Sequence, residues 1–278
     1  MPIITYWNTT RDQTGQTLAA IATVTKLAID QNVKVLLIST SLNDDTIKKS
    51  FWSEKKSVLG GIFGTNNNLI NQSGIEGLDR IVRSNKISPE TIKDYTRVIL
   101  KNRLEVLLGV TGTEEQYNAI SKQYLEIIVL ASKYYDYVFV DLDKRLSHVL
   151  QKEILKRSDL IVPIVSQKET AFQEYEKYFE QVPEINPNRI LYAIGRYNDK
   201  VKFNYKNISR NLLKIKESIN TIPNNNLLFE ASQDGKVFDL IMNISSLKGK
   251  DENTEFLKEI NRLIKDIKER ISINQSQK

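Results

Sequence analysis

The sequence predicts an α/β fold, with a mostly parallel central sheet flanked by helices on both faces. Three observations predict it. Short apolar runs alternate with helix-patterned stretches along the chain, the order that builds a parallel sheet covered by helices. Several runs, VKVLLIS and LIVPIV among them, are largely apolar without alternation, as strands buried on both faces are. The first run, IITYW, is joined to the first helical pattern by the polar stretch TTRDQTGQTL, where a phosphate-binding loop belongs, after a first strand and before a first helix.

Taken in order, Ile3–Trp7 is the first strand, Thr17–Asp30 the first helix and Val33–Ser39 the second strand. The stretch Asn43–Gly74 is polar and punctuated by GGIFG and TNNN, and reads as loop or irregular structure. GIEGLDRIVRS and SPETIKDYTRVI follow as helices. In the second, Ser88 can cap, Pro89 suits the first turn, and Glu90 favours the positive end of the dipole. Leu104–Val110 is a buried strand, followed by a long helix within EEQYNAISKQYLEIIVLASKYY and the strand YVFVDL ending at Leu142. The helix HVLQKEILKRS, the strand Leu160–Val165, the helix TAFQEYEKYF, the strand Arg189–Ile194 and the segment Lys206–Ile219 complete the pattern. Only SLKGKDENT, Ser246–Thr254, resembles a linker. The expected organisation is one domain over 1–248, with a C-terminal amphipathic helix and tail over 249–278 belonging to the same unit. No internal repeat is present.

Composition narrows the function classes. A chain of 278 residues with 40% hydrophobic content can bury a sizeable core. A net charge of +6 is compatible with acidic partners without requiring nucleic acid. Cysteine is absent, which removes disulfides and thiolate metal sites. The single histidine, His148, excludes a multi-histidine zinc centre and reads as a surface or capping residue. No apolar segment approaches the roughly 20 residues that span a bilayer, and MPIITYWN lacks the layout of a signal peptide. A soluble cytoplasmic protein is expected.

A working phosphate loop needs small residues so that backbone N–H groups converge on oxygens, a lysine for the β/γ-phosphates and a hydroxyl for magnesium. Here Gly15 supplies the small residue and Thr17 the hydroxyl, but Gln16 occupies the lysine position. A unit charge pair at contact distance is worth about 4 kcal/mol at an effective dielectric near 20, before desolvation. Its loss should weaken phosphate binding or transition-state stabilisation by a large factor. Arg11 keeps a positive charge at the start of the loop, opposed by Asp12 beside it. Alone, the loop also reads as a polar strand–helix turn. Its context includes YDYVFVDLD, Tyr135–Asp143, a buried strand ending in the carboxylate Asp141, much as a Walker B strand ends in one that holds magnesium or its water. Asp141 alone would read as a turn or capping residue, but loop and strand occur in the expected order. Tyr134, Tyr135 and Tyr137 read as core or interface aromatics.

From IITYWNTTRDQTGQT to FEASQDGKVFDLI, the chain resembles the deviant-Walker, P-loop NTPase-like ATPases of the ParA/MinD superfamily, and within it the TadZ/CpaE-like pilus-assembly localisation proteins. Aligned with the family loop KGGVGKTT, Arg11 falls on the signature lysine, Gly15 on the last glycine, Gln16 on the Walker lysine and Thr17 on the magnesium hydroxyl. In VLLISTSLN, Ser39 and Ser41 fall on the two aspartates of D-x-D-x-Q and Asn43 on its glutamine. DLDKR matches the switch motif D-T-P-P-G, keeping Asp141 and placing Arg145 on the glycine. In ILYAIGRYNDKVKF, Gly195 replaces an asparagine that commonly reads adenine, while Arg196 and Tyr197 remain. IPNNNLLFEASQDGKVF resembles a late stretch bordering the base, with Gly235 retained. The resemblance implies ATP and Mg²⁺ as cofactors, held weakly or lost. It implies Arg11, Asp12, Gln13, Thr14, Gly15, Gln16, Thr17, Leu18 and Arg196 at the nucleotide, and Thr17 and Asp141 at the metal. Replacement of the Walker lysine, both strand-two aspartates, the switch glycine and the adenine asparagine at one site points to a pseudo-ATPase with little or no hydrolysis, with Asp141 the catalytic candidate if activity survives.

Two further stretches carry competing readings. KVKFNYKNISRNLLKIK, Lys200–Lys216, interleaves cations with Phe203 and Tyr205, as nucleic-acid surfaces do, or is a solvated helix face with Ile208, Leu212 and Ile215 inward. The last helix carries Phe256, Ile260, Leu263, Ile264, Ile267 and Ile271 at helical spacing. Its mixed charge argues against a lipid surface and for packing on its own domain or a partner. The expected role is a homodimeric localisation or assembly scaffold for a pilus or secretion apparatus, recruited to the pole or inner membrane surface through partners. The alternatives are a slow active ATPase relying on Arg11, and a plasmid or chromosome partition protein binding DNA nonspecifically.

Overall fold

Side chains on successive residues of the central strands point to opposite faces, and both faces are dry. Ile3, Trp7, Leu36, Ile38, Val138 and Val140 belong to one apolar cluster. Their neighbours Ile4, Tyr6, Val35, Leu37 and Phe139 belong to the other, as the two-residue strand period requires. The computed structural model describes residues 1–9, 13–53, 74–84, 87–205, 207–208, 219–246 and 251–276. Among them, β1 (Ile3–Trp7), β2 (Val35–Ser39), β3 (Arg97–Leu100), β4 (Leu104–Leu107), β5 (Tyr137–Asp141), β6 (Leu160–Val165), β7 (Ala193–Tyr197) and β8 (Asn220–Pro223) form one sheet. Its order is β3-β4-β2-β5-β1-β6-β7-β8. Only β3 is antiparallel, to β4. The predicted α/β class and mostly parallel sheet are therefore observed.

One face carries α1 (Gln16–Asp30), α9 (Val237–Ser246) and α10 (Glu252–Ser276). The other carries α3 (Ile75–Arg83), α4 (Glu114–Ser121), α5 (Tyr124–Ala131), α6 (His148–Arg157) and α7 (Glu169–Glu180). Helix α1 lies between the sheet and α9 and α10. Its run of buried alanines, Ala19, Ala20, Ala22 and Ala28, suits a helix enclosed on several sides. Tyr6, fully buried on β1, donates to Thr23 on α1 at 2.9 Å, and Thr23 donates on to the Ala19 carbonyl at 2.8 Å. These bonds fix the first strand against the first helix and so hold the ends of the loop between them.

Several sequence expectations shift. Ser88 caps as expected, accepting from the Thr91 N–H, but Pro89–Tyr95 is a short 3₁₀ helix and the chain then enters β3. The helix expected over 88–99 is thus cut short, because Arg97–Leu100 pairs with β4. The long helix after β4 is two, with a break at Lys122–Gln123. The strand expected over Arg189–Ile194 begins only at Ala193. Pro187–Arg189 forms a 3₁₀ turn that lets Arg189 donate to the carbonyls of Lys156 and Ser158, at 2.9 and 2.8 Å. Within the stretch read as irregular, Thr46–Phe51 forms the short helix α2; residues 54–73 lie outside the described residues, as do 209–218 of the Lys206–Ile219 segment. His148 is exposed and opens α6, which Ser147 caps.

The apolar stripe of α10 is buried: Phe256, Leu257, Ile260, Leu263, Ile264, Ile267 and Ile271 all lie in the core. The helix packs on α1 and β8. Polar contacts accompany it, with Asn220 donating to Asp266 at 3.0 Å and Thr221 to Glu259 at 2.7 Å. Its apolar face is therefore covered by protein. Among the described residues no helix is long and apolar enough to cross a membrane. Leu263 is fully buried, so Leu263→Ala should lower the unfolding free energy by about 2–5 kcal/mol. Urea denaturation should show this in a single transition if α10 folds as one unit with the sheet; an unchanged midpoint would mean that the helix is not docked.

Candidate functional site

The loop leaving β1 is held at both shoulders. Asn8 donates to the Thr14 hydroxyl at 3.0 Å, and the Thr9 N–H donates to the Tyr175 hydroxyl at 3.0 Å. Gly15 precedes α1 at φ 76°, in the left-handed region that glycine enters without penalty. No side chain among the described residues caps α1, and its first turn carries no acidic residue. The first-turn N–H groups, which an α-helix leaves without intrahelical partners, and the positive end of the helix dipole lie at a cleft.

That cleft has a volume of about 410 Å³. Gln13, Thr14, Gly15, Gln16, Thr17 and Leu18 line one side, and Asp141 and Arg196 complete the set expected from the sequence. Arg11 and Asp12 lie outside the described residues. Asp44, Asp143, Lys144 and Phe229 also line the cleft, and sequence reasoning missed them as site residues. Lys144 and Asp143 flank a position already singled out. Asp44 and Phe229 become neighbours of the loop only when β2 and α8 (Asn226–Asp234) are placed beside it.

Asp141 is the centre of the arrangement. It ends β5, is buried, and accepts two hydrogen bonds from the start of α1. Gln16 Nε2 donates to Oδ1 at 2.6 Å and Thr17 Oγ1 to Oδ2 at 2.8 Å. Gln16 Nε2 also donates to the Leu142 carbonyl at 3.1 Å. The residue in the lysine position thus spends its amide on the protein. Burial pushes the Asp141 carboxyl up to about 6; the Gln16 and Thr17 donors pull it down, and nearby Asp44 and Asp143 add to the rise.

The remaining replacements are each satisfied locally. Ser39 and Ser41 are hydrogen-bonded to each other, Oγ to Oγ at 2.8 Å. Asn43, at φ 52°, exchanges hydrogen bonds with Gly112, donating to its carbonyl at 2.8 Å and accepting its N–H at 2.9 Å. Arg145 is folded back on Asp143, with Nη2 to Oδ2 at 3.0 Å, a partner that raises its pKa further. Gly195 has a steric reason: a Cβ there would lie 2.0 Å from the Thr14 carbonyl oxygen and 2.7 Å from Ile164 Cγ2. No asparagine fits that position while β7 runs this close to the loop before α1. Arg196 is exposed at φ 49°. It lies over Gly15 and also lines an adjoining pocket of about 270 Å³ with Pro223, Asn224 and Phe229.

The donor set fits a magnesium ion. Mg²⁺ is held by one or two carboxylates or hydroxyls together with substrate phosphates and water, and Thr17 and Asp141 offer that pair of hard oxygens at the foot of the loop. No cluster of three or more His, Cys, Asp or Glu able to hold an ion by protein groups alone exists among the described residues.

Neither a family model nor a curated protein matches this sequence. Solved structures do. The fold is similar to that of a ParA family ATPase from Chlorobium tepidum TLS, at TM-score 0.68 and 14% identity over 95% of this chain and 98% of that one. MinD from Pyrococcus horikoshii OT3, complexed with Mg-ADP, matches at TM-score 0.64 and 13% identity over 94% and 95% of the two chains. A plasmid partition protein from Borrelia burgdorferi B31, bound to AMPPNP, matches at TM-score 0.61 and 19% identity over 95% and 99%. The architecture is that of the ParA and MinD ATPases, with their P-loop type of sheet and helix arrangement.

The raised pKa of Asp141 has a measurable consequence. A carboxyl near 6 in the folded protein and near 3.9 in the unfolded chain binds its proton more tightly when folded. Stability therefore falls as pH rises from about 4 to about 6, and the penalty is complete above that. Asparagine removes the charge, can still accept from Gln16, and can donate to the Thr17 hydroxyl. Asp141→Asn should stabilise the ligand-free protein at pH 7.5 by at most ~3 kcal/mol. Thermal melts across pH should show that gain shrinking towards pH 4.

Proposed function

We propose that this chain is a degenerate ParA/MinD-superfamily protein that binds a nucleotide without appreciable hydrolysis and works as a scaffold. The observation that carries the reading is the bonding of Gln16. Its amide bridges Asp141 and the Leu142 carbonyl, where a working loop directs a lysine to the phosphates. The uncapped start of α1 still offers backbone donors, which do not depend on that side chain. Binding and turnover are thereby separable: the first needs the loop backbone, Thr17 and Asp141, while the second needs charge at the transferring phosphoryl. Similar folds bind Mg-ADP and AMPPNP, which supports a nucleotide in this cleft.

In the role proposed, a homodimer presents a surface that recruits protein components of a pilus or secretion apparatus, in the manner of TadZ/CpaE-like proteins. The sequence resemblance described above supports that assignment, and a MinD structure in complex with MinC illustrates protein partnering on this fold. Titration with a fluorescent ATP analogue, with and without Mg²⁺, should show saturable binding strengthened by the metal. Steady-state assays should find no phosphate release above a Thr17→Ala control. Release at a rate typical of ParA ATPases and abolished by Asp141→Ala would overturn the reading.

A second reading, a partition protein on DNA, is favoured by the exposed cations Lys200 and Lys202 and by the Borrelia partition proteins among the similar structures. It predicts binding to arbitrary duplex that weakens steeply with salt and is reduced by Lys202→Ala. Absence of binding at low salt would dismiss it.

A further inference from the structure

The loop has glutamine in the lysine position, yet a cation from the segment after β5 lines the same cleft. The cleft is lined by two basic residues among those described, Lys144 and Arg196. Arg196 reaches the loop from β7: its Cγ and Nε would be 3.4 and 3.7 Å from a Cβ on Gly15, and it also lines the pocket with Pro223 and Asn224. Arg145, the next cation along the chain, is committed to Asp143 through Nε and Nη2 at 3.0–3.3 Å. Lys144 is exposed at the cleft and forms no ion pair among the described residues.

Its backbone, by contrast, is firmly placed. Gln151, buried on α6, donates through Nε2 to the carbonyls of Lys144 and Leu146, at 3.1 and 2.6 Å. The Oε1 of Gln151 accepts from Trp7 Nε1 at 3.1 Å. One residue before Lys144, the Asp143 N–H donates to the Thr40 hydroxyl at 2.7 Å. Trp7 ends β1, the strand that launches the loop, so the same strand end helps set the backbone position of Lys144. Long-range placement of this kind suits a side chain that must meet a ligand held by the loop.

We propose that Lys144 supplies, from the segment after β5, the positive charge that Gln16 cannot give, and that it contacts the terminal phosphate of a bound nucleoside triphosphate. The proposal rests on the nucleotide reading above and adds a preference: a triphosphate over a diphosphate, set by a residue outside the loop. Asp143 would otherwise cancel this charge, and Arg145 neutralises it. The folded-back Arg145 pair thus leaves Lys144 as the uncommitted cation of the segment.

The test compares fluorescent N-methylanthraniloyl ATP and ADP, with Mg²⁺ at low salt, on the full chain and on Lys144→Ala and Lys144→Arg. Circular dichroism would establish that the variants are folded. Lys144→Ala should weaken the triphosphate about tenfold or more and the diphosphate less than about threefold, while Lys144→Arg should stay within about threefold for both. Unchanged triphosphate binding by Lys144→Ala, an equal loss for both nucleotides, or a loss in Lys144→Arg matching that in Lys144→Ala would each overturn the proposal and leave the nucleotide reading standing. If the unmodified chain binds neither analogue, the nucleotide reading falls and takes this proposal with it.

Discussion

The arrangement depends on a buried carboxylate that must be kept in place at the end of a strand. Asp141 is removed from water, which costs free energy for the charged form. Two donors from the first turn of α1 offset part of that cost. Because β5 lies between β2 and β1, the same residue ties the first helix to the middle of the sheet. Its backbone carbonyl also accepts from the Thr40 N–H at 3.1 Å, which brings the end of β2 to the same point. The loop, the end of β2 and the segment after β5 are therefore positioned by one polar junction. What a nucleotide would meet there is set by which side chains remain free.

The residues at which the sequence differs from the ParA/MinD pattern it resembles compensate one another. A lysine in the loop would balance carboxylates clustered at the strand ends. Without it, acidic groups at 39 and 41 would crowd Asp141, whose strand partner in register is Ser39, and like charges in a buried site raise one another's cost. The two serines bond to each other instead. Gln16 then satisfies Asp141 with a neutral donor, and Arg145 pairs with Asp143. Asp141, Ser39, Ser41 and Arg145 each have a partner, so these side chains are mutually satisfied without a charged loop lysine.

Much of this was legible in the sequence, because the central strands are largely apolar runs, Asp141 ends one of them, and Gly15 and Thr17 stand at the start of the helix after the first. The edge strands were not. β3 follows a capped 3₁₀ turn without a break in composition and is read as the tail of a helix. β8 is four residues ending in Pro223, too short to carry a pattern. The site was legible where its residues are contiguous with the loop or with the β5 motif. Asp44 reaches the cleft by tertiary packing, which no local spacing encodes, whereas Phe229 lies in the late stretch whose resemblance implies a place, in part, beside the base. Gly195 looks like a lost base contact in the sequence. In space, the Thr14 carbonyl occupies the volume that a larger side chain would need.

The central claim is that the cleft retains a nucleotide while Gln16 remains bonded to Asp141 and the Leu142 carbonyl, so that the bound triphosphate is not cleaved. A single-turnover experiment addresses this most directly, with protein in excess over γ-³²P-labelled ATP and Mg²⁺ and with the label followed on the bound fraction. The account predicts that ATP is retained on the protein and stays intact for hours. Conversion of the bound label to free phosphate within minutes would contradict it.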